Sequence, residues 1–277
     1  MGDIFFVLFI QPITNLLLFF YQLFTAVNFP YALGFAIVAL TVFVRLLIYP
    51  FASAQIKSSM QMQKLSPHMA RIKERYKHDK KRQQEEMMKL YKEHGVNPAA
   101  GCLPMIIQIP VIWSLYTVLI GAVAANSIQA INKINEALYF PYLKLTSVWS
   151  AYFFGFPLFD APSKLFASHP LIVLIPVVTG IFQLILSKMM MPASGGVDSK
   201  VKKSQPAGGT ADFQTAFQSQ ALIIFPVMIG VFSYTLPLGL SLYWNTLTIF
   251  GILQQYLLGG LGGLKPWIEK VKLVSSK

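Results

Sequence analysis

The stretch LGFAIVALTVFVRLLIYP, residues 33–50, decides the fold and poses the functional question. It is apolar enough to span a bilayer and holds no Asp or Glu, yet it carries Arg45. A charged side chain inside a span costs roughly 2.5–3.5 kcal/mol on insertion scales, which makes such a charge a functional candidate by default. The competing reading is that Arg45 sits near the end of the span and extends its stem to the headgroups. Pro50 lies only about 7.5 Å of helix rise further on.

Working outward, the 277 residues are 55% hydrophobic and 12% charged. An ordinary soluble domain has roughly 25% charged residues, so the chain reads as an integral membrane protein. The single cysteine, Cys102, excludes a disulfide within one chain and a multi-cysteine zinc site. Four more apolar stretches of spanning length follow, at about 103–125, 170–190, 221–236 and 238–258. Residues 51–100 hold eleven of the 23 Lys and Arg against five acidic residues. Residues 192–219 add three Lys, and the tail from residue 260 adds four. The opposite side has only Lys133, Lys144 and Lys164. Basic loops stay in the cytoplasm, which places the N-terminus outside and the C-terminus inside.

The fold expected is therefore an all-α integral membrane protein, a five-span helical bundle with an N-terminal interfacial amphipathic helix and a cytoplasmic helical hairpin. Residues 1–30 form the interfacial helix, 31–50 the first span and 51–100 the basic hairpin. The second span is 101–125, followed by an extracytoplasmic segment, 126–168, and the third span, 169–191. A flexible cytoplasmic loop, 192–219, leads to the fourth span, 220–236, the fifth, 237–259, and a basic tail, 260–277. The interfacial reading of the N-terminus rests on a stripe of Asp3, Gln11, Thr14, Asn15, Tyr21, Gln22 and Thr25 within an arc of roughly 120°. A sixth span is the alternative for residues 4–27.

Inside the hairpin, residues 53–76 read as helix, with Ser66–Pro67 as a kink or a cap. Asp79 is placed to cap a second helix that Gly95 stops. Five methionines, Met60, Met62, Met69, Met87 and Met88, fall in this segment. Methionine suits both adaptable recognition surfaces and plain packing between two helices, so these five are candidate substrate-recruiting residues with packing as the alternative. Residues 139–159 are aromatic-rich, which fits a segment resting in the membrane interface.

Several chemistries are excluded. No span has a histidine, aspartate or glutamate at depth, which removes serine–histidine and two-aspartate proteolysis as well as the usual acidic sites of ion-coupled transporters. Ser241 follows Gly239, but no second glycine stands where one is wanted, so Ser241 reads as a small packing residue. The glycine-rich run 259–265 ends in Lys265–Pro266, where a phosphate loop requires Ser or Thr after the lysine. No catalytic residue, metal ligand or cofactor is expected, and the protein does not read as an enzyme.

The spans instead carry neutral polar residues. Thr41 lies one turn before Arg45 on the same face, Gln108 sits between Pro104 and Pro110, and Gln183 is in the third span. Tyr243, Trp244, Asn245, Gln254 and Gln255 are in the fifth. Beside an arginine without an acidic partner in any span, they point to a wet groove. A solute channel and a structural assembly factor for a translocon remain as alternatives.

With these residues in view, the sequence resembles the YidC/Oxa/Alb family of membrane protein insertases from about residue 29 to 258. The resemblance is carried by TVFVRLLIYPFASAQIKSSMQMQKLSP (41–67), EEMMKLYKEHGVNPAAGCLPMIIQIPVIWSLY (85–116), FPLFDAP (156–162) and LPLGLSLYWNTLTIFGILQQ (236–255). It implies five spans around a hydrophilic groove open to cytoplasm and lipid and closed outside, with Arg45 at the groove arginine, Thr41 at a second functional position and Trp244 at the aromatic position of the last span. It implies nascent membrane proteins as substrates and membrane lipid as the medium. The Sec translocon and, weakly through the basic hairpin and tail, the ribosome are implied as partners, without sequence-specific nucleic-acid binding. The location implied is the bacterial plasma (inner) membrane. The chain reads as a short form, without the large extracytoplasmic β-domain of some members or the long ribosome-binding extension of others.

Overall fold

The computed structural model describes residues 2–95, 103–123, 128–147, 149–191 and 210–269. Helices dominate among them. A short turn, α1 (Gly2–Phe5), and a π-helical stretch (Phe6–Ile10) lead into α2 (Gln11–Ala26) and α3 (Ala32–Leu47). The chain continues through α4 (Tyr49–Arg75), α5 (Lys80–Glu93), α6 (Leu103–Val123), α7 (Ile128–Glu136) and the single turn α8 (Pro162–Leu165). It ends with α9 (Leu174–Met189), α10 (Thr210–Thr235) and α11 (Leu238–Gly259). The only strands among the described residues are β1 (Tyr152–Phe153) and β2 (Phe156–Pro157), paired antiparallel.

The segments Phe6–Ala26 and Pro170–Met189 are each long and apolar enough to cross a membrane. Two bent pairs pass the same test, Ala32–Leu47 with Tyr49–Leu65 at 64° and Leu238–Gly259 with Gly262–Glu269 at 91°. Ile109–Val118 and Ile223–Thr235 are shorter apolar helices. The first bend has a local cause. Pro50 cannot donate a backbone hydrogen bond late in a helix, but it is tolerated in a first turn, so α3 stops and a new helix starts at Tyr49.

The chain divides into two compact units. One comprises Met1–Ile48, Pro104–Phe182 and Met228–Phe250; the other comprises Tyr49–Leu103, Gln183–Val227 and Gly251–Lys277. In the first unit α2 packs along α3. Leu17, Leu18, Leu33, Ala36 and Ile37 are fully buried there, joined by Leu115, Leu145, Trp149, Leu158, Leu240 and Tyr243. The hairpin turns at Phe154 and Gly155, both at positive φ, the geometry that matches the twist of two-residue hairpins. It lays the ring of Phe153 directly over Gly34, where any Cβ would collide with the ring. Backbone N–H groups of Leu238 and Gly239, which the first turn of α11 leaves without a partner in the helix, donate to Asp160 O and Leu158 O at 2.9 and 2.7 Å. The FPLFDAP segment thus caps the last long helix.

The polar stripe of the N-terminal helix does not face water as a whole. Thr14 and Asn15 are buried, while Phe6, Val7, Leu8, Phe19 and Leu23 are exposed. Asn15 Nδ2 donates to Ala137 O at 2.9 Å, and Asn15 Oδ1 accepts from Tyr139 N at 2.7 Å. The stripe is turned inward because those two backbone groups lie outside regular helix and need partners. Asn135 plays the same part for Leu145, accepting from its N–H and donating to its carbonyl at 2.9 and 3.0 Å.

In the second unit α4 runs unbroken through Pro67, where a cap or kink was expected. Asp79 accepts from Arg82 N at 3.0 Å and starts α5, and Gly95 follows its end at φ +63°. α4 and α5 pack through Leu65, Leu90 and Tyr91, flanked by Met62, Met69 and Ile72.

Candidate functional site

Arg45 falls in the last turn of α3, where the apolar run places it without a choice of neighbours from its own helix. Its Nη2 donates to the backbone carbonyl of Leu247 on α11 at 3.4 Å, a long bond. Its Nε is buried without a hydrogen-bond partner. Among the described residues no carboxylate pairs with Arg45. An unmet donor of a charged group in a buried place is costly, on the order of 1–3 kcal/mol.

Thr41 is 1% exposed, and its hydroxyl donates to Ile37 O at 2.6 Å. Its hydroxyl proton is therefore engaged on its own helix. Thr41 lines a small cavity with Ile13, Leu40, Val44, Val111, Leu115 and Tyr243. That space is about enough for one water molecule. The structure thus brings Arg45, Thr41 and Tyr243 together in one unit.

Asn245 goes elsewhere. Its Nδ2 donates to Thr179 Oγ1 at 3.0 Å, and its Oδ1 is buried without a partner. Thr179 Oγ1 is 3.2 Å from Ser233 Oγ, and Ser233 Oγ donates to Ser241 Oγ at 2.9 Å. These hydroxyls tie α9, α10 and α11 together beside Gly230, where a Cβ would meet Pro176 O at 3.3 Å. Sequence reading singled out Ser241 and Asn245 but passed over Thr179 and Ser233. Ser241 and Asn245 are one turn apart, which was a usable signal. Trp244 is half-buried on the same helix. Gln183 belongs to the second unit, and the side chain of Gln108 lies outside the described residues. Gln254 and Gln255 are buried in the second unit, Gln254 donating to Ser53 Oγ at 3.3 Å and Gln255 to Met189 O at 3.4 Å.

The five hairpin methionines separate. Met87 is buried, 5% exposed. Met69 Sδ accepts from Tyr91 Oη at 3.3 Å, and burial pushes the Tyr91 phenol above its ordinary pKa. Met62 packs against the same cluster, and Met60 lies beside Gly259. Met88 is 48% exposed. Among the described residues no three His, Cys, Asp or Glu side chains gather as a metal site requires.

Known proteins resemble this one over most of its length. The family model described as 60Kd inner membrane protein matches residues 23–260. Membrane protein insertase YidC of Streptomyces avermitilis is 35% identical over 234 residues, 81% of this chain and 50% of that protein. Inner membrane protein ALBINO3, chloroplastic, of Arabidopsis thaliana is 34% identical over 262 residues, 89% of this chain and 50% of that protein. Membrane protein insertase YidC 2 of Bacillus anthracis is 32% identical over 256 residues, covering 91% of this chain and 80% of its own. A solved structure of an active YidC insertase with its first transmembrane domain resolved is 28% identical, with a TM-score of 0.52, covering 88% of this chain and 45% of that one. The chain spans about half the length of the Streptomyces and Arabidopsis relatives. A mostly helical membrane protein with an arginine at the end of an apolar helix and a matched span of residues 23–260 belongs to the 60Kd inner membrane protein family, that of the YidC and ALBINO3 proteins.

Proposed function

We propose that this protein is a membrane protein insertase that moves nascent single- or double-span proteins from the cytoplasm into the bilayer without nucleotide hydrolysis. A span of about 20 residues gains roughly 6–12 kcal/mol on insertion, so the substrate's own hydrophobicity is the driving force. The obstacle is the polar tail, because each unpaired polar group in hydrocarbon costs several kcal/mol. A hydrated groove reaching partway across shortens that path. Thr41, Tyr243 and Trp244 line it in this reading, and Arg45 draws in an acidic residue of the tail. For a pair 4 Å apart at an effective dielectric of 20, the attraction is about 4 kcal/mol. The single observation that carries the reading is the buried Nε of Arg45 without a partner.

Five spans, an outer N-terminus and a cytoplasmic hairpin, loop and tail complete the proposal. The N-terminal helix lies in the interface plane. Asn15 and Tyr21, about 9 Å apart along α2, both contact the segment 137–149, Tyr21 through an edge-on ring contact with Trp149 at 5.5 Å. A helix crossing that segment's layer at a right angle meets it at one level only. Met88, and Met60, Met62 and Met69 where the hairpin exposes them, offer the first apolar contact to the nascent chain. The Sec translocon and the ribosome are the proposed partners.

Reconstitution of the purified protein with a single-span substrate bearing an acidic N-terminal tail tests the proposal. Wild type inserts it without a translocon. Arg45→Ala lowers insertion by ~100-fold or more, and Arg45→Lys retains most of it. Full activity of the alanine variant sinks the charge-attraction mechanism; no insertion by the wild type alone sinks the autonomous insertase.

A further inference from the structure

The run GGLGGLKPW, residues 259–267, is glycine-rich but cannot serve as a phosphate loop, and its geometry has another use. Gly260 and Gly262 adopt φ of +68° and +48°, a region that disfavours side chains. The chain therefore turns 91° between Leu238–Gly259 and Gly262–Glu269. The turn is fixed by contacts at the end of α9. Gly263 N donates to Met191 O at 2.8 Å, Gln255 Nε2 donates to Met189 O at 3.4 Å, and Gln63 Nε2 donates to Met190 O. Gly262 lies so close to Met189 O that a Cβ there would collide with it.

Two apolar helices, α9 and α11, therefore end at one level. The last three carbonyls of the α9 terminus, the negative end of its dipole, are covered by donors from three elements. At that level Lys188 Nζ stands 4.5 Å from the centre of the Trp267 ring. Trp267 is 50% exposed, and Lys265 is exposed beside it. Among the described residues no carboxylate pairs with Lys188 or Lys265, and Glu269 is the one acidic residue of the bent segment. Tryptophan settles at the headgroup layer, and lysines there attract anionic lipid.

We propose that Lys188, Lys265 and Trp267, set at the level where α9 and α11 end, form a binding surface for an anionic phospholipid headgroup, with the indole beneath the phosphate. A bare helix C-terminus would repel that phosphate; here its carbonyls are occupied. The right-angle turn lays the segment along the membrane rather than out into water, which favours lipid over RNA as the anion.

The test uses the full chain in phosphatidylcholine nanodiscs containing equal fractions of either dibrominated phosphatidylcholine or dibrominated phosphatidylglycerol. Trp267 emission is the difference between wild type and Trp267→Phe. Brominated phosphatidylglycerol should quench it more strongly at low salt, reflecting about fivefold local enrichment of acidic lipid per lysine. In Lys188→Gln/Lys265→Gln the two lipids should quench alike, with far-ultraviolet circular dichroism and thermal midpoint unchanged as the control for folding. Equal quenching in the wild type overturns the proposal. So does loss of the lipid preference on adding an RNA oligonucleotide at the same salt, which would make nucleic acid the ligand.

Discussion

The two ends of α3 are built on opposite principles. At Gly34 the helix is packed so closely against Phe153 that no Cβ fits. Eleven residues on, about 16 Å along the axis, Arg45 has a buried nitrogen with no partner and, among the described residues, one long bond to Leu247 O. One end is over-determined by packing, and the other is under-satisfied. A helix that only had to be stable would carry a neutral residue at position 45, since a buried unpaired charge is among the costliest features a fold can retain. On the proposed function, Gly34 marks the rigid end of the helix and Arg45 its working end.

The largest effect separates these roles through two measurements on one variant. Arg45→Ala should lose insertion by ~100-fold or more while its thermal midpoint stays at or above that of wild type, because the substitution removes a desolvated charge that has almost nothing to lose. A midpoint well below wild type would place Arg45 with the structural residues and dissolve the contrast.

Next comes the packed end. Gly34→Leu should displace Phe153 and with it the β1–β2 hairpin, at a cost of about 1–3 kcal/mol in stability. In a Phe153→Ala background the same substitution should cost much less, a non-additivity that a thermal double-mutant cycle reads directly. Simple additivity would mean that the ring and the helix do not share the notch. The charge preference for substrate tails should survive both changes.

A smaller effect is expected at the hydroxyls of Thr179, Ser233 and Ser241, which are buried like the Nε of Arg45 but bonded to one another. Ser241→Ala removes the hydroxyl that accepts from Ser233 and should cost about 1–2 kcal/mol, lowering the midpoint and leaving the preference for acidic tails untouched. If the variant instead altered tail preference at unchanged stability, the network would belong to the groove.

What was legible in advance follows the same division. Arg45 stood out because a charge in an apolar run needs no third dimension to be noticed. The stripe of α2 was visible as a period, but a period names a face and not what covers it; only the fold shows that Asn15 serves the backbone of Ala137 and Tyr139. Thr179 and Ser233 each sit singly in apolar sequence, and their meeting depends on how α9 and α10 cross. Leu247 acts through its carbonyl, for which a sequence carries no signal. Gly262 was visible as a glycine but not as the point where two backbones touch.

The smallest expected effect lies in the hairpin, where Tyr91 is an intermediate case, buried and, among the described residues, bonded through its hydroxyl to a thioether, which is a weak acceptor. Burial raises its phenol above the ordinary value of 10.0 in the folded protein. The folded state therefore holds the proton more tightly than the unfolded state. The stability this contributes is fully present below the unfolded pKa and is lost as pH rises through the folded one. In an ultraviolet titration, the difference between wild type and Tyr91→Phe should show a single phenol ionising above 10.0, and the gap in thermal midpoint between the two should change only in the alkaline range. Near neutral pH, Tyr91→Phe should cost well under about 1 kcal/mol, since it removes one weak hydrogen bond and keeps the ring. A phenol titrating at or below its ordinary value would mean that α5 does not shield it. The hairpin would then be open enough in solution for Met69 and Met87 to meet a substrate after all.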